Sequence, residues 1–137
     1  MRAIDTKILD ELEMFYGDED CFSPLRDWFG TAEVHWANLE RLFTVAEYAK
    51  KHDPSVAEKI ATYRGRIVEL FQQTRNLANM WDSQRKEKHS CAKVAEDYAK
   101  ASDERLDILD RVTATQEKLR YAIVKYIELL HSVVSEP

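Results

Sequence analysis

The sequence predicts an all-α protein: an elongated antiparallel helical bundle of three long helices and a short N-terminal helix, with coiled-coil-like packing. Three observations carry this. The 137 residues contain only three Gly (Gly17, Gly30, Gly65) and three Pro (Pro24, Pro54, Pro137), too little turn chemistry for a β or α/β fold. Apolar residues recur at alternating spacings of three and four through three long segments, the period of helices packed along a seam. From Arg66 to Glu136 there is neither Gly nor Pro. A third of the residues are charged and 45% are hydrophobic, which suits helices with one buried and one solvated face. The length fits a single domain, residues 1–137, with a core of its own.

The first helix is expected over about residues 3–16. Ile4, Ile8, Leu12 and Phe15 lie at helical spacing, and Leu9 and Met14 widen that face. Gly17 follows as a candidate C′ residue, since the left-handed conformation costs glycine nothing. The acidic loop Asp18-Glu19-Asp20 leads to Ser23-Pro24, an N-cap followed by proline at N1.

The second helix is expected over 24–51. Leu25, Phe29, Ala32, Trp36, Leu39, Phe43 and Ala46 form an unbroken heptad stripe, flanked by Trp28 and Leu42. Gly30 within it costs about 1 kcal/mol of helix propensity and implies close approach of a neighbouring helix.

Asp53-Pro54 repeats the start signal. The third helix, 54–82, carries Val56, Ile60, Tyr63, Ile67, Leu70, Thr74, Leu77 and Trp81 on one stripe. The short connection folds helices two and three back on each other. The apolar pattern lapses over Asp82–Ser90, so residues 83–90 read as a polar turn; the rival is a continuous helix breaking at Ser102-Asp103. The fourth helix, 91–134, resumes with Cys91, Ala95, Tyr98, Ser102, Leu106, Leu109, Val112, Gln116, Leu119, Ile123, Tyr126, Leu130 and Val133. Helices this long suggest a hairpin tip projecting beyond the bundle.

The net charge is −5, and residues 1–23 account for it with seven acids against Arg2 and Lys7. Residues 54–89 are mildly basic but form no dense stripe, which argues against a nucleic-acid partner. Cys21 and Cys91 match no metal-ligand spacing. Without a secretory or membrane-spanning apolar run, the expectation is a soluble, intracellular, most simply cytoplasmic protein with reduced thiols.

Catalytic chemistry has little to stand on. Di-metal carboxylate bundles need two Glu-x-x-His motifs, and only Glu128-Leu-Leu-His131 is present. His35, His52, His89 and His131 show no relay spacing. His52 ends helix two, where a cation meets the helix dipole favourably. No phosphate-binding glycine loop or nucleophile motif occurs. We therefore expect no enzyme activity, cofactor, metal or small-molecule substrate.

Residues 50–67 (Lys50-Lys51-His52-Asp53-Pro54 through Gly65-Arg66-Ile67), with Trp36 before them, resemble the second helix of a spectrin repeat. The match covers about 30 residues and is offset by one, and the tryptophan of that repeat's third helix has no counterpart after Trp81. The resemblance would imply scaffolding. Val124–Leu130 is similar to the last helix of sorting-nexin BAR domains, which are longer and carry a basic membrane face. No family is assigned on either.

The functional signal is apolar surplus. Val34, Val45 and Tyr48 lie on the far side of helix two from Trp36, where either the first helix or a partner docks. In Leu119–Val134, Ala122, Val124, Ile127 and Leu129 make the helix apolar most of the way round, so it is central in its bundle or covered by another chain. The expected function is a non-enzymatic helical protein–protein interaction module: an adaptor, an assembly subunit or a pathogen-encoded binder of a host protein. Val34, Val45, Tyr48, Ala122, Val124 and Leu129 are the candidate contacts, with another protein or a second copy in a homodimer as partner. The alternatives are a BAR-like membrane-associated homodimer and a metal-bearing bundle enzyme.

Overall fold

A computed structural model describes residues 7–18, 21–22, 25–91 and 95–134; the side chains of 25–31, 84–91, 95–102 and 105 are not among those described. The elements are α1 (Lys7–Gly17), α2 (Leu25–His52), a 3-10 turn (Pro54–Val56), α3 (Ala57–Cys91) and α4 (Ala95–Val134). No strand occurs among the described residues, and the protein is an all-α bundle packed helix on helix.

The start of α3 follows from its sequence. Asp53 takes an extended conformation and its carboxylate accepts from the Ser55 N–H at 3.1 Å, while Pro54 occupies the first helical position. Lys50, Lys51 and His52 sit in the last turn of α2, where cations offset the partial negative charge of the free carbonyls. The Ser23-Pro24 signal, Ile4 and the surroundings of Trp28, Phe29 and Gly30 lie outside the described residues or side chains.

Contacts between paired helices run in reverse order. On α2 and α3, Trp36 meets Phe71, whereas Phe43 and Glu47 both meet Arg64. On α1 and α4, Asp10 and Glu13 reach His131, whereas Tyr16 reaches Arg120. Tyr63 packs on Tyr126 near one end of the α3–α4 pair, and Met80 and Ile108 line one groove toward the other. Beyond the Trp36–Phe71 contact α3 has about nine more residues than α2, so it runs on roughly 14 Å further at 1.5 Å per residue.

Three expectations are corrected. Residues 83–90 are not a turn: α3 continues without interruption to Cys91. The straight-chain residues Gln84, Arg85, Lys86, Glu87 and Lys88 favour helix, so a lapse in apolar period does not mark a break. The backbone is helical at Ser102-Asp103 as well. Gly17 closes α1 in an ordinary conformation, since no glycine has a positive φ among the described residues. The chain leaves through Asp18 N–H to Phe15 O at 3.4 Å and Cys21 N–H to Asp18 O at 3.1 Å.

The phase of two helices also shifts. On α1 the buried residues are Leu9, Leu12 and Tyr16, while Met14 is 81% exposed. On α4 Ile108 is buried and Leu106 exposed. The α2 and α3 stripes hold: Leu39, Phe43, Ala46, Ile60, Ile67, Leu70, Thr74 and Leu77 are all buried.

α4 is the central element. It packs against α1, α2 and α3, and Leu119, Ile123, Tyr126, Ile127 and Leu130 are almost wholly excluded from solvent. The apolar surplus of its C-terminal half is thus consumed largely within the chain.

Candidate interaction surface

The six candidate contacts separate on burial. Val45 is 1% exposed and belongs to the core, so of the two covers expected for its face the one within the chain applies to it. It shares a helical stripe with His35 and Asn38, which hydrogen-bond α1, so the short first helix is what covers that face. Ala122 is also buried, and Val124 and Leu129 are half-buried against the core. Tyr48 is half-buried and stacks on His52 with centroids 6.3 Å apart. Val34 alone of the six is largely exposed. These residues therefore do not form one surface.

Two polar clusters that invite a chemical reading serve to hold α1. Tyr16 and His35, both buried, lie within an aromatic group completed by Phe15 and Phe22. The Asn38 amide donates to the Tyr16 hydroxyl at 3.3 Å, and the same hydroxyl hydrogen-bonds His35 Nδ1 at 3.1 Å. Burial pushes the His35 pKa down to about 4 and that of Tyr16 up to about 12. Arg120 donates to the Tyr16 carbonyl at 3.2 Å, placing a cation at the C-terminal end of α1, and grips Glu117 through two nitrogens at 2.6 and 3.2 Å.

His131 faces α1, with Nε2 3.2 Å from Asp10 and 3.3 Å from Glu13. Glu128 turns instead to Lys125 at 3.4 Å, so the Glu-x-x-His pair does not converge on one point. Among the described residues no group of three or more His, Cys, Asp or Glu is arranged to hold a metal ion. Burial raises the Cys21 thiol pKa to about 11, opposite to the direction that activates a nucleophile. The Cys91 side chain lies outside those described. No helix among the described residues is long and apolar enough to cross a membrane.

An open groove lies on the α3–α4 pair. It measures about 830 Å³ and has Tyr63, Ala114, Tyr121 and Ala122 among its walls. Tyr121 is 61% exposed although it is a large aromatic. Arg66 and Lys118 line the same groove and make no ion pair or hydrogen bond among the described residues. Lys125 sits over the Tyr121 ring at 5.4 Å. Toward the other end of the helix pair a shallower groove of about 380 Å³ is lined by Met80, Ile108, the acids Asp103, Glu104 and Asp107, and Arg111.

Except for Ala122, these residues were not among the sequence candidates. The signal for them is a second heptad row on α4, Glu104, Asp107, Arg111, Ala114, Lys118, Tyr121 and Lys125, at spacings of 3, 4, 3, 4, 3 and 4. It is mostly polar, so an apolar pattern search passes over it.

No protein-family model matches the sequence, and no curated protein or solved structure matches it.

Proposed function

We propose that this chain is a non-enzymatic helical interaction module whose working surface is the grooved face of the α3–α4 pair. The observation that carries the reading is one groove holding an exposed aromatic, small residues and two cations without partners among the described residues. Tyr121 offers a large contact area for little conformational entropy, and Ala114 lets another backbone come close. Arg66 and Lys118 offer charge that no described residue pairs with. Val34 is exposed too, but no described groove contains it.

The test is a photo-crosslinking amino acid placed at Tyr121 and, as control, at Val34. Irradiation in a native lysate should give a discrete protein adduct at position 121 and none at 34. Equal adducts at both positions, or none at 121, would overturn the reading.

A further inference from the structure

The geometry points to a second copy of this chain as the occupant of the α3–α4 face, in a two-fold antiparallel dimer. This rests on the proposed function and names its partner. Both grooves belong to one continuous face, because a single heptad row of α4 lines the two of them. Across the helix pair, Arg66 and Met80 are two heptads apart and so share one side of α3.

The face is electrostatically divided. One end holds Arg66, Lys118 and Lys125 with a single acid, Glu117; the other holds Asp103, Glu104 and Asp107 with a single cation, Arg111. Of these eight, Lys125 and Glu117 have charged partners among the described residues. A surface with opposite charge at its two ends complements itself when a copy is turned end for end, which is what an isologous interface requires.

The register follows from the row. If Lys118 lies opposite Asp107, then Tyr121 lies opposite Glu104 and Ala114 opposite Arg111, so the row from Glu104 to Tyr121 maps onto itself, while Lys125 falls opposite Lys100. The two-fold axis then crosses α4 between Val112 and Thr113, close to the small Ala114. The row from Glu104 to Lys125 is about 32 Å long, and with a helix pair about 20 Å wide it would bury about 1,200 Å² in total, the lower bound of a standard interface. Such an interface is salt-sensitive, since ion pairs at its rim contribute a large share of its specificity.

Sedimentation velocity of the full chain at low salt decides this, using Lys118→Glu and Asp107→Lys. Both positions are exposed, and circular dichroism checks that helicity is unchanged. The wild type should dimerise, and each single variant should dimerise at least tenfold more weakly, because each meets two like-charge contacts. An equimolar mixture of the two variants should regain the dimer, since both contacts become attractive. The double variant should dimerise with itself for the same reason.

A wild type that stays monomeric at a few hundred micromolar overturns the inference. So does a dimer indifferent to the single changes, or a mixture that fails to recover. A monomeric chain whose position 121 still traps another protein would sink the second copy while leaving the broader reading standing.

Discussion

Lowering the pH should destabilise this protein through His35, by an amount the structure allows us to work out. The imidazole is 3% exposed, surrounded by aromatic rings, and hydrogen-bonded to the Tyr16 hydroxyl. In the folded chain its pKa is pushed down to about 4, against 6.5 for an unburied histidine. Below pH 6.5 the unfolded chain takes up a proton that the folded chain refuses, so stability falls with falling pH. The loss ends near pH 4, where the folded form protonates too. The full gap corresponds to about 3 kcal/mol, of which about 2.5 kcal/mol is reached by pH 4.5.

Carboxylates titrate over the same range, so the useful quantity is a difference. His35→Asn keeps an acceptor for Tyr16 but cannot titrate. Urea unfolding followed by circular dichroism, at pH 7 and pH 4.5, should show the wild type losing about 2 kcal/mol more than the variant between the two. Tryptic nicking or amide exchange should place the loosening first at α1, since Tyr16 belongs to that helix. Parallel losses in the two proteins would refute the reasoning and mean that His35 is protonated or solvated in the folded state.

Three further outcomes are expected. Val45→Asp should cost more than about 3 kcal/mol because it buries an unpaired charge, whereas Val34→Asp should stay within about 0.5 kcal/mol; thermal melts of both would reveal an inverted order. Tyr126 is buried and its hydroxyl has no hydrogen-bond partner among the described protein groups, so Tyr126→Phe should raise unfolding free energy by about 1 kcal/mol, and a loss of that size would show that the hydroxyl is satisfied. Glu87→Pro should cost about 3 kcal/mol and lower helicity if α3 is continuous there, but almost nothing if 83–90 were a turn.

What could be read from sequence divides along physical lines. The Asp53-Pro54 start and the stripes through Leu39, Phe43, Ile67 and Leu70 were legible because capping chemistry and burial both act over a few residues. The lapse at 83–90 was misread because an apolar period reports a buried face, and a helix can outrun its partner and become polar all round. The cover of Val45 stayed open between the first helix and a partner because it is an eleven-residue helix whose own phase, Leu9, Leu12 and Tyr16, differs from the Ile8–Leu12–Phe15 row that hydrophobicity suggests. The Tyr16–His35–Asn38 chain joins residues of two helices through polar groups, and no local pattern announces it. The α3–α4 face was legible only as a second period-seven row on α4. Its meaning lies in the charge at each end, which becomes visible once Arg66 and Met80 of α3 are set beside it.

The account turns on whether that face pairs with itself in the stated register, and a distance between two copies tests it most directly. With Cys21 and Cys91 replaced by Ser, a spin label at Thr113, beside the axis, should report a separation of at most about 20 Å between copies. A label at Glu128 should report one of roughly 45–50 Å, the axial distance expected across the axis at 1.5 Å per residue. The same short distance at both positions would mean a parallel pairing, and no dipolar coupling at either would mean no pairing at all; each contradicts the account.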